Sequence, residues 1–140
     1  MVYRHAIKIP FQDIDAAGVV FYAHLFRYAH EAYDAFMADI KQPLVQFLDE
    51  GKIILPLVHA EADYHLPLHY ADLITLELVV EKIGANHFCL GYRGMNEENI
   101  CVASIKTVHV TCGAQTKNKM PMPTGLQLAL AAYQIDEDKD

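Results

Sequence analysis

Two aspartates, Asp13 and Asp15, lie in an otherwise apolar stretch at residues 13–22. A carboxylate surrounded by apolar side chains is more reactive than one in water, and it can act as a nucleophile or as a general base. Gly18 removes a side chain where a ligand would approach the backbone. The helix predicted from residue 19 would add unpaired N–H groups that polarise a carbonyl oxygen. The stretch therefore predicts an acyl-transfer site, and the simpler alternative is a loop whose aspartates only cap the helix.

The sequence offers few other nucleophiles. Its single serine, Ser104, lies in a strand-like run without a GxSxG turn, which argues against a serine hydrolase. The three cysteines, Cys89, Cys101 and Cys112, lie in strand-like runs without CxxC spacing, so we expect free thiols rather than disulfides or a zinc site. An acyl-transfer enzyme here would rely on a carboxylate and would need an easy leaving group. Thioester hydrolysis fits best, because a thiol leaves as a thiolate without a strong general acid.

A row of polar residues on one predicted strand is a second candidate site. His59, Glu61, Asp63 and His65 alternate along the chain and would share one strand face. Imidazole and carboxylate groups bind zinc, iron or manganese. However, side chains at i and i+2 are about 6.6 Å apart on a straight strand and rarely meet at one ion. We therefore expect an outer strand face and no metal site. His24 is a separate candidate, because it follows the aspartates closely enough to reach a ligand.

The composition limits the class of protein. The chain has 140 residues, 53% of them hydrophobic, which suits one domain at residues 1–140. Lys and Arg number 11 against 18 Asp and Glu, so the net charge of −7 argues against nucleic-acid binding and requires local cations for an anionic ligand. We expect an acidic, frayed tail at residues 135–140. No apolar stretch reaches the roughly 20 residues of a membrane span and no secretory signal is recognisable, so a cytoplasmic, non-membrane protein is expected.

The hydrophobic periodicity predicts one long helix among several strands. Residues 2–11 alternate as a strand, and residues 19–39 repeat apolar side chains at three- and four-residue spacing as a helix. A short helix at Leu44–Glu50 and a last helix capped by Thr124 are also predicted. Four further strands, arranged as a meander, are expected at residues 53–66, 73–83, 86–95 and 100–112. The class is therefore α+β, with one long central helix covered by a curved antiparallel five-stranded sheet.

Residues 11–24 resemble the signature of the 4-hydroxybenzoyl-CoA thioesterase family, most specifically in the spacing of aspartate, glycine and tyrosine. Residues 55–60 and 81–85 are similar to the branch that hydrolyses 1,4-dihydroxy-2-naphthoyl-CoA. The resemblance implies a hotdog fold, in which an antiparallel sheet wraps one long helix. It also implies hydrolysis of an aromatic or short acyl-CoA without a cofactor, by a homo-oligomer built as a dimer of dimers with sites at the dimer interface.

The resemblance assigns roles to individual residues. Asp15 would be the catalytic nucleophile or general base, and the backbone N–H of Tyr22 would polarise the thioester carbonyl. Asp13 would support them, and Gly18 would lie where the acyl group passes. Two further residues are implied as neighbours of the acyl group, namely Phe21 and His59.

The phosphates of CoA require cations. One branch of the family carries a basic cluster before the phenylalanine of the fourth strand, and here the corresponding residues 83–88 contain no Lys or Arg. Lys82 and Arg93 are the expected substitutes, and Lys117 and Lys119 follow later in the chain. Two alternative functions stay open. One is a hotdog dehydratase, for which His24 is the available histidine, and the other is a non-catalytic acyl-CoA-binding module.

Overall fold

A computed structural model describes residues 1–135 of the chain. It confirms the predicted α+β class, with a five-stranded antiparallel sheet in the order β1-β4-β5-β6-β3 and a separate two-residue pairing of β2 with β7. The strands are β1 (Tyr3–Lys8), β2 (Ile53–Ile54), β3 (Leu57–Tyr64), β4 (Leu73–Ile83), β5 (His87–Met95), β6 (Cys101–Val110) and β7 (Cys112–Gly113). The helices are α1 (His24–Asp39), α2 (Leu44–Glu50) and α3 (Thr124–Ala131).

Helix α1 packs against the inner face of the sheet and forms the core with it. Its buried residues recur at helical spacing, and they include Leu25, Ala29, Ala32 and Phe36. Strand β4 alternates buried and half-buried side chains along most of its length, as a strand covered on one face should. Side chains from both elements belong to one hydrophobic cluster. Because α1 packs against the sheet along its buried face, the start of the helix is held in a fixed position.

The prediction that α1 begins at residue 19 is wrong by five residues. Ile14 pairs with Val20 in an isolated antiparallel bridge, and the Phe21 N–H donates to the Asp13 carbonyl at 2.9 Å. These hydrogen bonds hold the backbone in a turn up to Phe21. The helix begins only at His24.

The predicted strands are correct in position but differ in continuity and order. The run 53–66 divides into β2 and β3 around Pro56, which has no N–H for a ladder. The run 100–112 divides into β6 and β7. Only β4, β5 and β6 form a meander, because β3 joins the far edge beside β6. Helix α3 is present, but Thr124 is its first helical residue and makes no capping hydrogen bond.

The end of the described chain returns to the sheet. The Ile135 N–H donates to the Val80 carbonyl at 3.0 Å, so the predicted frayed tail does not include Ile135. The remaining residues of that tail, 136–140, lie outside the described residues. Within residues 1–135, no helix is both long and apolar enough to span a membrane.

Candidate active site

Asp15 opens a tight turn that its own side chain stabilises. The Asp15 N–H donates to the Val19 carbonyl at 2.9 Å, and the Gly18 N–H donates to the Asp15 carbonyl at 3.0 Å. One carboxylate oxygen, Oδ1, accepts hydrogen bonds from the Ala17 N–H at 2.8 Å and the Val19 N–H at 3.4 Å. Asp15 is only partly buried, and no hydrogen bond within residues 1–135 occupies Oδ2. The carboxylate is therefore held in position with one oxygen free.

Gly18 is required for the backbone of this turn. Its φ of +83° lies in the left-handed region, which side chains disfavour. A Cβ at this position would have no heavy atom within 4 Å. The structure therefore explains the glycine by its backbone conformation rather than by the close approach that the sequence suggested.

Tyr22 lies between the turn and α1 and presents an unused N–H group. No acceptor within residues 1–135 takes a hydrogen bond from the Tyr22 N–H, and the following residue, Ala23, caps α1 without a side-chain hydrogen bond. The Tyr22 carbonyl accepts a hydrogen bond from the Tyr64 hydroxyl at 2.7 Å, which connects this segment to the end of β3. An unpaired N–H at a helix start is suited to stabilise negative charge on a carbonyl oxygen.

An apolar cavity of about 290 Å³ lies beside this segment. The turn contributes Val19 to its wall, and Tyr22 and Leu25 contribute the side nearest the start of α1. The opposite wall comes from residues 64–68 and from the start of β6. The cavity thus adjoins both the end of the Asp15 turn, through Val19, and the segment that carries the unpaired N–H, through Tyr22. Asp15 itself does not line it.

Asp13 is the buried carboxylate of the pair and anchors the start of α1. Its side chain is 4% exposed, and its Oδ2 accepts hydrogen bonds from Arg27 and from the hydroxyl of Tyr28. His24 Nε2 lies 3.8 Å from Oδ1. Burial raises the pKa of Asp13, but the hydrogen bond from Tyr28 and the hydrogen bond and charge of Arg27 outweigh burial, so the pKa lies below its ordinary value. Asp13 is therefore ionised at neutral pH, with two hydrogen bonds on Oδ2 and the His24 ring near Oδ1.

Phe21 and His24 lie close to Tyr22 at the helix start. The Phe21 ring centroid is 4.7 Å from that of Tyr22 and 5.9 Å from that of His24. Phe21 is 41% exposed and Tyr22 is 66% exposed. The structure thus brings Asp15, Gly18, Phe21, Tyr22 and His24 into one region of the chain.

His59, Lys82 and Arg93 lie elsewhere within a single chain. The pairing of the strands places all three on the outer face of the sheet, the face opposite α1, because His59 pairs with Val108 and Arg93 pairs with Ser104. Lys82 reaches that face through a β-bulge after Val80, beyond which it pairs with Cys89. His59 Nε2 lies 3.7 Å from Glu61 on that face. The predicted grouping of these residues with Asp15 is therefore not formed within one chain.

The outer-face interpretation of the row on β3 agrees with the structure. Glu61 and Asp63 line an outer-face groove, and His65 Nε2 lies 2.9 Å from the Ser104 hydroxyl at the neighbouring strand β6. In the described part of the chain, no three His, Cys, Asp or Glu side chains are grouped so as to hold a metal ion. The three cysteines are free, and only Cys112 is buried.

Comparison with known proteins agrees with this geometry. Residues 9–130 match the family model of the thioesterase-like superfamily. The chain belongs to this superfamily. It is 39% identical over 126 residues to a 1,4-dihydroxy-2-naphthoyl-CoA hydrolase of Synechococcus elongatus, covering 89% of this chain and 92% of that protein. A second such hydrolase, from Microcystis aeruginosa, is 35% identical over 127 residues, covering 91% and 90%.

Solved structures similar to this chain are also thioesterases. A 1,4-dihydroxy-2-naphthoyl-CoA thioesterase from Synechocystis is similar with a TM-score of 0.89 at 28% identity, covering 99% of this chain and 98% of that one. A gentisyl-coenzyme A thioesterase has a TM-score of 0.82 at 25% identity, covering 91% and 98%. The family resemblance and the hotdog fold predicted from the sequence are thereby confirmed, and the protein is an enzyme of the thioester hydrolase class.

Three residues that shape the site of this thioesterase were not predicted from the sequence. Arg27 precedes Glu31 by four residues, a spacing typical of a surface ion pair, yet its guanidinium binds Asp13. Tyr28 and Tyr64 carried no signal, because each contacts a residue that is distant in sequence or in another element. The one available sequence signal was a cation, Arg27, on the helix that follows two aspartates.

Proposed function

We propose that this thioesterase hydrolyses an acyl-CoA thioester whose acyl group is aromatic and of the 1,4-dihydroxy-2-naphthoyl type. The single observation that carries the proposed chemistry is the position of Asp15, one oxygen of which is free, in the turn that leads to the unpaired N–H of Tyr22. The names of the relatives from Synechococcus elongatus and Microcystis aeruginosa support the choice of acyl group. The apolar cavity beside Tyr22 is suited to an aromatic or aliphatic group.

The proposed reaction begins with the thioester carbonyl oxygen accepting a hydrogen bond from the Tyr22 N–H. In one route, Asp15 Oδ2 attacks the carbonyl carbon, the C–S bond breaks with release of CoA thiolate, and water then hydrolyses the mixed anhydride. In the other route, Asp15 removes a proton from a water molecule that attacks the carbonyl carbon directly. Both routes place negative charge on the carbonyl oxygen, where the Tyr22 N–H stabilises it.

Asp15→Asn tests this chemistry. The amide is a poor nucleophile and a poor base, so we expect kcat for an aromatic acyl-CoA to fall by roughly 10²–10⁴-fold. Released CoA is measured with a thiol reagent, which also separates hydrolysis from a dehydratase reaction. Asp49→Asn, at an exposed aspartate of α2, is the matched control. Unchanged turnover in Asp15→Asn, with hydrolysis intact in the control, would falsify the proposal, and a panel of aromatic and short aliphatic acyl-CoA substrates identifies the preferred acyl group.

We propose that the enzyme is a homo-oligomer and that Lys82 binds the CoA phosphates from a neighbouring subunit. Lys82 is exposed on the outer face of the sheet, so it reaches an Asp15 site only in another copy of the chain. Arg93 is the weaker candidate, because it shares an outer-face groove with Glu61, Asp63, Glu77 and Glu81. Glu77 and Glu81 pair with Arg4 and Lys106, and the remaining negative charge of Glu61 and Asp63 opposes the approach of a phosphate.

Lys82→Ala tests the phosphate assignment. We expect KM for an acyl-CoA to rise by about three- to ten-fold while kcat is retained, because the contact is to a part of the substrate that does not react. Lys8→Ala, at an exposed lysine at the end of β1, is the control. Equal KM values for Lys82→Ala and the wild type would exclude Lys82 from phosphate binding.

A further inference from the structure

The Tyr22 N–H can stabilise charge on a carbonyl oxygen only if its direction is fixed, yet Tyr22 lies outside helix α1. Peptide groups are planar, so the direction of a backbone N–H follows from the positions of the two peptide groups that flank the residue. Tyr22 is 66% exposed, so packing of its side chain does little to hold it. The direction of the N–H therefore depends on hydrogen bonds to the two flanking peptide groups.

The peptide group that contains the Tyr22 N–H is held by the backbone. Its carbonyl, which belongs to Phe21, accepts a hydrogen bond from the His24 N–H at 3.0 Å. The other flanking group, between Tyr22 and Ala23, has no such support. No backbone hydrogen bond within residues 1–135 involves the Tyr22 carbonyl or the Ala23 N–H. One of the two peptide groups therefore needs a side-chain partner.

Tyr64 supplies that partner from the end of β3. Its hydroxyl donates to the Tyr22 carbonyl at 2.7 Å, an ordinary length for an O–H···O hydrogen bond. Burial raises the pKa of Tyr64, and Tyr22 adds a smaller effect in the same direction. The hydroxyl therefore stays protonated at neutral pH and remains a donor.

The segment that begins with Tyr64 is itself anchored to the sheet. The N–H groups of the two residues after Tyr64 both donate to the Val102 carbonyl near the start of β6, at 2.9 and 3.1 Å. Further along the segment, the Leu68 carbonyl accepts a hydrogen bond from the Val20 N–H at 2.8 Å. Residues 64–68 therefore hold the backbone before α1 at two points and connect it to β6.

We propose that Tyr64 is a positioning residue for thioester hydrolysis, whose hydroxyl holds the Tyr22 carbonyl so that the Tyr22 N–H points at the thioester carbonyl oxygen. This inference rests on the proposed function, because it assigns a partner to the N–H used there. A phenol has one O–H to donate, and the Tyr22 carbonyl takes it. Tyr64 therefore acts through Tyr22 and not on the reacting atoms.

Tyr64→Phe tests the positioning role, because it removes the hydroxyl and keeps the ring that lines the apolar cavity. We expect kcat for an aromatic acyl-CoA to fall roughly ten-fold and KM to change by less than about two-fold, since the N–H acts mainly in the transition state. Tyr70→Phe is the matched control, because Tyr70 is 59% exposed and does not line this cavity. Its kcat is expected to equal that of the wild type. Both variants are expected to keep the wild-type midpoint in urea.

A ketone analogue reports the direction of the N–H without turnover. In phenacyl-CoA a methylene group separates the ketone from sulfur, so the compound is not hydrolysed. The stretching frequency of its carbonyl falls when the oxygen accepts a hydrogen bond. Isotope-edited infrared difference spectra are expected to show a narrow band in the wild type and in Tyr70→Phe, at a frequency below that in an apolar solvent. In Tyr64→Phe the band is expected at a higher frequency and broader.

These measurements separate a failure of this inference from a failure of the proposed function. A wild-type frequency that is not lowered overturns the role of the Tyr22 N–H and this inference with it. A lowered wild-type frequency that Tyr64→Phe leaves unchanged overturns the role of Tyr64 alone, even if kcat falls, because the hydroxyl then has only a general structural effect. An unchanged kcat in Tyr64→Phe overturns it as well. The spectrum does not depend on turnover, so the result for Asp15→Asn leaves its outcome unaffected.

Discussion

Asp13 and Asp15 are two residues apart and have different surroundings. Asp13 is buried, and Arg27, Tyr28 and His24 surround its carboxylate. Asp15 is partly buried, and only the backbone of its own turn binds it. A buried carboxylate that is bound by an arginine and a tyrosine is suited to hold structure, whereas a partly buried one bound only by its own turn is suited to react. These partners therefore give Asp13 a structural role and leave Asp15 as the candidate for catalysis.

Asp13→Asn is expected to lower the free energy of unfolding by about 1–3 kcal/mol, since it removes the anion that pairs with Arg27 and accepts from Tyr28. Urea denaturation at neutral pH measures the loss. Asp15→Asn is the matched comparison and is expected to change stability by less than about 0.5 kcal/mol. Equal stabilities for Asp13→Asn and Asp15→Asn would show that Asp13 does not anchor α1.

The effect of Asp13→Asn should also depend on pH. The pKa of Asp13 is lower in the folded state, so the ionised form is stabilised by folding. Its contribution is complete above the unfolded-state pKa of about 4 and is lost as pH falls through the lower folded-state value. The difference in stability between wild type and Asp13→Asn is therefore expected to shrink in acid. Thermal unfolding followed between neutral and strongly acidic pH measures it.

The turn at residues 15–19 is connected to helix α1 by only four residues, 20–23. Gly18 adopts a φ of +83°, and an alanine there costs roughly 1–2 kcal/mol. Gly18→Ala is expected to lower kcat as well as stability, because the carboxylate of Asp15 is held by N–H groups on either side of Gly18.

Gly125→Ala is the matched control for that prediction. Gly125 lies in α3, and a Cβ there would meet only Gln42 Nε2, at an ordinary contact distance of 3.7 Å. Alanine in a helix is favoured over glycine by about 0.5–1 kcal/mol, so the control should be neutral or stabilising with normal kcat. Steady-state kinetics and urea denaturation of both variants test the pair, and normal activity in Gly18→Ala would contradict the role given to the turn.

The sequence predicted the central residues of each helix and strand better than the residues at which they begin and end. The period of α1 is set by residues that face the sheet, and these lie one helical turn apart in the sequence. Its true start depends on hydrogen bonds between Phe21 and Asp13 and between Val20 and Leu68, and the second partner is 48 residues away. Contacts of that range leave no periodic signal. The Asp15 turn could be predicted from types and spacing, whereas the contacts of Tyr64 and Arg27 could not.

At the scale of the whole molecule, strand β3 is an exposed edge. It pairs with β6 on one side, and no strand within residues 1–135 pairs with its other side. All of its residues are exposed except the half-buried Ala62, and the apolar side chains of Leu57, Val58 and Tyr64 are each more than half exposed. A long apolar edge of this kind invites pairing with another chain.

The outer face of the sheet gives a second reason to expect more than one copy. Lys82 and His59 lie there, on the far side of the sheet from the Asp15 turn. Since the pairing of the strands, including the β-bulge before Lys82, fixes those positions, no movement of side chains within one chain brings them to the turn. Assembly through β3 is one way for a second copy to supply them.

Val58→Lys tests assembly through this edge. Val58 is 57% exposed on β3, and Val45 is 59% exposed on α2, so Val45→Lys introduces the same charge at an equally exposed valine outside the sheet. The wild type is expected to have a mass in light scattering that is a multiple of the 15.8 kDa chain, and Val58→Lys is expected to reduce it. If sites require two chains, kcat/KM should fall together with the mass in Val58→Lys and stay unchanged in Val45→Lys. A wild type that is monomeric and active at assay concentration would rule out the shared site.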